Sequence, residues 1–124
     1  MSLSRYFPQI LLFTGAVTML PLVQFLAPAP GLRLLYKLEL TDEAGRLFAQ
    51  HWGLLAAAIG ALLLYASGHP ELQQAAVAAA LVEKAALAGL IFASWSRPFA
   101  KGLRLAAVFD TACSLVYAAW LLGR

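Results

Sequence analysis

Residues 72–95 are almost wholly alanine and large aliphatics, with a glutamate and a lysine, Glu83 and Lys84, at the centre. A run of that length and apolarity can cross the hydrocarbon core of a bilayer, about 30 Å thick. A charge at the midplane costs about 2.5–3.5 kcal/mol even on insertion scales. A chain that places two charges there must bring compensating groups from its other helices. That requirement constrains the fold more than any other feature.

The composition points the same way. The chain is 62% hydrophobic and 12% charged, whereas soluble domains run at roughly 45–50% and 25%. A single compact unit is expected over residues 1–124. The net charge of +3 does not indicate a nucleic-acid partner, because the bases sit in the loops between apolar runs, where they report membrane topology. Cys113 is the only cysteine, which excludes an intrachain disulfide, a CxxC redox pair and a thiolate cluster.

The spacing predicts an all-α, four-helix transmembrane bundle with spans over about 7–27, 46–66, 72–95 and 102–122. The start of the first span resembles a signal peptide, with Ala27, Pro28 and Ala29 as the cleavage box. Pro30 just after the cut would block processing, so a retained helix is expected. Pro8 suits a first helical turn, and Pro21 should kink the helix. Thr14 and Thr18 are expected to bond back to helix carbonyls. Residues 28–31 should end the first helix, and the following Leu-rich segment with Arg33, Lys37 and Glu39 should lie in the headgroup region. Thr41 followed by Asp42 and Glu43 reads as a helix start with Thr41 as the cap and Asp42 as the earliest helical position. Gly53, Ala57, Gly60 and Ala61 form a small-residue stripe that admits a close helix neighbour. Trp52, Trp95 and Trp120 fall near span ends, as an aromatic belt would place them, and Tyr65 marks an interface.

Arg33, Lys37, Arg46, Arg97, Lys101 and Arg104 flank the first and third loops, leaving Arg5 and Arg124 on the other side. The positive-inside rule then puts those loops in the cytoplasm and both termini outside. A bacterial inner membrane is the expected location.

The third and fourth spans form a hairpin about Arg97. Lys84 and Asp110 are equally distant from that turn, so they should lie level and pair. The second and third spans turn near Gly68, which puts Glu83 level with about Leu54. His51 is one turn away and is expected beside Glu83, directly or through water, as a candidate catalytic acid–base pair. Asp110, Cys113, Ser114 and Tyr117 recur at i, i+3, i+4 and i+7 on one helix face, and with Lys84 they are the candidate ligand-binding residues. Ala76, Ala79, Ala80 and Ala86 are expected to share the face of Glu83. Polar groups flanked by small residues belong on a bundle axis, where bundles build ligand sites.

Each of these residues also has a purely structural reading. Glu83, Lys84 and Asp110 would hold the bundle in register, His51 would be an interfacial histidine, Cys113 a packing residue and Tyr117 an interface anchor. No metal site is expected, since His51 and His69 lie at opposite ends of the second span. The chain holds no phosphate-binding glycine loop or Ser-His-Asp pattern.

The segment APAPGLRLLYKLEL, followed by TDEAGRLFAQHWGLLAAAIGALLLYA, resembles the small four-helix DoxX-like membrane proteins. The matching features are Pro28 or Pro30 at the end of the first helix, Arg46 opening the second, Gly53 and Gly60 on its face, Lys84 in the third helix and Asp110 in the fourth. The resemblance implies a lipophilic redox partner such as a quinone, because characterised members of that group are linked to quinone-coupled sulfur oxidation or membrane redox complexes. It supplies no catalytic residue, and the roles of His51 and Glu83 do not come from it.

Three functions are therefore expected alternatives. One is binding of a lipophilic molecule, a quinone or lipid, with a redox-accessory role. A second is intramembrane acid–base catalysis on an apolar substrate. The third is a structural subunit of a homo-oligomer or larger membrane complex. The first two require a cavity beside Glu83, and the third predicts a filled core with small-residue stripes free for partners.

Overall fold

The computed structural model of the chain describes residues 2–124. Six α-helices and a 3-10 segment make up the fold, with no strand among the described residues. They are α1 (Ser2–Thr18), α2 (Leu22–Leu26), α3 (Pro28–Tyr36), α4 (Glu43–Ser67), α5 (Pro70–Ala93), the 3-10 segment Pro98–Leu103, and α6 (Arg104–Leu122). Four segments are long and apolar enough to cross a membrane: Leu3–Leu26, Glu43–Ser67, Pro70–Ala93 and Pro98–Leu122. The expected all-α four-helix bundle is the observed architecture.

The ends of the spans differ from expectation for local reasons. The first helix starts at Ser2 instead of near residue 7, because Leu3 packs against the cluster around Phe7. Pro8 therefore lies in the second turn. Pro21 produces a break, not a kink: α1 stops at Thr18, and α2 begins at Leu22. Tight turn bonds such as Leu20 N to Val17 O (3.0 Å) and Leu22 N to Met19 O (3.0 Å) satisfy the backbone through the break, as an apolar surrounding demands. Gln24 then donates from Nε2 to the Ala49 carbonyl (2.7 Å), and Gln50 returns a bond to the Phe25 carbonyl (2.8 Å). These two side chains rivet α2 to α4.

Residues 28–31, expected to terminate a helix, instead form the first turn of α3, with Pro28 at a position that needs no N–H. Gly31, Leu32 and Tyr36 face inward and Leu34 faces out. Lys37, at φ 53°, closes α3 in the left-handed conformation. The cap of α4 is Asp42 and not Thr41: the Asp42 carboxylate accepts from the Gly45 N–H at 2.8 Å.

Two close backbone approaches fix the layout. A Cβ at Gly60 would lie 2.6 Å from the Gly15 carbonyl, and one at Gly15 would lie 2.9 Å from the Gly60 carbonyl, so α1 and α4 touch backbone to backbone. Gly102 packs directly on the Tyr36 carbonyl, which brings α3 and the 3-10 segment together at one end. Arg33, Lys37, Arg97, Lys101 and Arg104 all belong to that end.

Around the bundle, α1 packs on α4, α4 on α5 and α5 on α6. The remaining seam, α6 against α1, closes only in part. Phe7 stacks on Trp120 (4.3 Å, 5°) and meets Tyr117 edge-on (6.4 Å). Tyr117 donates its hydroxyl to Thr14 Oγ1 at 2.6 Å. These contacts zip the half of the seam nearest the termini. Trp120 is thus a buried packing residue and not part of an aromatic belt. Toward the basic end the seam gapes.

Candidate functional site

The Lys84–Asp110 ion pair forms as the hairpin geometry requires. Lys84 Nζ donates to Asp110 Oδ1 at 3.1 Å, with side chains 2% and 7% exposed. The ammonium also lies 4.9 Å from the ring centroid of Phe109, a cation–π contact that helps offset its removal from water. Glu83 Oε1 is 4.0 Å from the same ammonium, beyond hydrogen-bond range, and is buried with no hydrogen-bond partner. The Glu83 side chain as a whole is 22% exposed.

These three groups stand on the wall of a cavity of about 370 Å³. It occupies the open half of the seam between α1 and α6. Phe13, Leu20 and Leu105 form its outer rim, all on the outer surface of the bundle, with Leu105 80% exposed. Tyr36, Trp52 and Ala56 line it further in. Tyr36 stacks on Trp52 at 5.3 Å. Burial, reinforced by the nearby charges of Asp110 and Glu83, pushes the Tyr36 hydroxyl well above its ordinary pKa, so it stays protonated and available as a donor. The result is an apolar chamber open sideways, with two donors and a spare acceptor at its inner end.

The expected site residues separate into two groups. Lys84, Asp110 and Glu83 share the cavity wall. Cys113 and Tyr117 are buried on the same face of α6, but in the zipped half of the seam and outside the lining. Tyr117 is 0% exposed, so it is no interface anchor. Ser114 donates to the Asp110 carbonyl at 2.7 Å and stays on its own helix. Thr14 and Thr18 bond back to the Ile10 and Thr14 carbonyls (2.8 and 2.6 Å), as expected.

His51 is not brought to Glu83. It is exposed on the outer side of α4 and lies outside the lining. The helix phase explains this: Trp52, Ala56 and Gly53 face inward, so the preceding residue turns away. Lys84, not Glu83, lies on the inner face of α5, in register with Gln73, Ala76, Val77 and Ala80, while Ala79 and Ala86 are exposed. In the stripe on α4, Gly53, Ala57 and Gly60 are buried, with Gly53 against Pro21 and Gln24 and Gly60 against Gly15 and Met19, whereas Ala61 points outward. Among the described residues no three His, Cys, Asp or Glu side chains gather as a metal-ligand set.

Tyr36, Trp52 and Phe109 are among the lining residues that sequence reasoning missed. Trp52 read as an aromatic-belt residue and Tyr36 falls in the segment expected in the headgroup region, and nothing local distinguishes a ring at a membrane interface from one folded over a chamber.

A scan against protein-family models and searches of curated proteins and of solved structures return no significant match to this chain.

Proposed function

We propose that this protein takes a lipophilic molecule, a quinone or lipid-like compound, from the bilayer into the chamber between α1 and α6. Its polar head lies beside Lys84, Asp110 and Glu83, and its tail leaves through the rim formed by Phe13, Leu20 and Leu105. One observation carries this reading: the chamber is continuous from lipid-facing side chains to a buried, hydrogen-bonded ion pair. Ligand sites are typically apolar concavities of about 300–1,000 Å³ with a few placed polar groups, and this one fits that description. The likeness to DoxX-like proteins, with their quinone-linked roles, supports a redox-accessory task. Basic residues gathered at one end support an inner-membrane orientation with both termini outside the cytoplasm.

The two alternatives draw less support. Acid–base catalysis by His51 and Glu83 needs the two together, and His51 faces away. A purely structural subunit would keep its small-residue stripe free for a partner, whereas Gly53 and Gly60 are used within the chain.

Native mass spectrometry of gently extracted protein, with lipid extraction of what co-purifies, tests the proposal. Wild type should carry a stoichiometric apolar molecule. Ala106→Trp, which fills the chamber, should release it, and His51→Ala should retain it. An empty wild-type protein, or retention by Ala106→Trp, refutes the reading.

A further inference from the structure

Resting on that binding reading, we infer that the ligand's head is an uncharged hydroxyl that donates a hydrogen bond to Glu83. The polar end of the chamber contains one ammonium and two carboxylates. Lys84 is committed to Asp110, and Glu83 Oε1 is left buried without a donor. A buried acceptor without a donor forfeits more than a made hydrogen bond gains. The terminal torsion of a glutamate is broad and roughly two-fold, so either oxygen can turn toward a head in the chamber.

Charge selects among donors. A phosphate or carboxylate head would add negative charge beside Asp110 and Glu83, two acids that already share one ammonium. A protonated amine reaching Glu83 would come within a few ångströms of Lys84, itself 4.0 Å from Glu83 Oε1. The route in is also apolar, past Phe13, Leu20 and Leu105. A charged head pays a heavy desolvation penalty along such a route, and a hydroxyl a much smaller one. The hydroxyl oxygen can in turn accept from Tyr36, which remains protonated. Long-chain alcohols, isoprenoid alcohols and the reduced, hydroquinone form of a quinone all carry this head. Their ethers and the oxidised quinone lack the donor.

Native mass spectrometry in lipid nanodiscs with four probes on one tail tests this: farnesol, farnesyl methyl ether, farnesylamine and farnesyl phosphate. Farnesol should bind about tenfold or more tightly than the ether, as expected when a buried acceptor gains its missing donor, and more tightly than the amine or the phosphate. Glu83→Leu should close the alcohol–ether gap, and Glu83→Gln, which keeps an acceptor oxygen, should retain part of it. Tightest binding of the amine or phosphate overturns the inference. So does equal binding of alcohol and ether, or a gap that survives Glu83→Leu, and in these cases the chamber reading stands. If none of the four binds, the chamber reading itself fails.

Discussion

Replacing Lys84 with methionine removes the cation paired with Asp110 while keeping nearly the same volume. At 3.1 Å and an effective dielectric of about 20, the lost attraction is about 5 kcal/mol before solvation is counted. Breaking one side of a buried pair costs about 3–5 kcal/mol in practice, because the remaining charge is stranded. Lys84→Met should therefore lose about 3–5 kcal/mol in SDS-titrated unfolding followed by tryptophan fluorescence. Lys84→Met combined with Asp110→Leu removes both charges and should come back to within about 1–2 kcal/mol of wild type. Glu83→Gln should cost under about 1 kcal/mol. Glu83 and Lys84 are sequence neighbours on one helix, so their proximity survives when the helices separate, whereas Asp110 comes from another helix and is lost. A double variant as unstable as Lys84→Met alone would refute the pairing, and a Glu83→Gln loss as large as that of Asp110→Leu would show the wrong acid had been chosen.

Gly60→Ala should destabilise by about 1–3 kcal/mol in the same titration, since its methyl group would press on the Gly15 carbonyl. Gly89→Ala, facing open space, should change stability by less than about 1 kcal/mol and in the favourable direction. Tyr117→Phe should cost about 0.5–1.5 kcal/mol by removing the bond to Thr14. Thr14→Val added to it should cost little more, and a fully additive loss in that double-mutant cycle would show the two hydroxyls are not coupled.

Membrane spans were legible from the sequence because length and apolarity are cumulative signals that no single residue overturns. The Lys84–Asp110 pair was legible because a hairpin's turn fixes the depth of both arms, and two charges level with each other have few other partners. Depth is not azimuth, however. α5 is apolar all round, so periodicity carried no information on which of Glu83 and Lys84 turns inward, and packing of Ala76, Val77 and Ala80 decided it. His51 was misplaced for the same reason: its depth suited Glu83, but the inward phase of α4 belongs to Trp52 and Ala56. Proline announced a disturbance at Pro21, yet its extent depends on Gln24 docking at Ala49, a contact 25 residues away in sequence. The chamber could not be read at all, because it exists only where α3 folds across the end of a seam that α1 and α6 leave unfilled.

The half-zipped seam also makes the molecule asymmetric with respect to the two monolayers around it. On the side of the termini, the buried packing of Phe7, Tyr117 and Trp120 seals the seam against the lipid tails. On the side of the basic loops, the opening at Phe13, Leu20 and Leu105 meets a different set of acyl chains. The guest proposed for the chamber would therefore be drawn from one monolayer only. A compound delivered to the opposite monolayer must flip before it can enter, so its rate of transbilayer crossing, and not its affinity, would set how quickly the site fills.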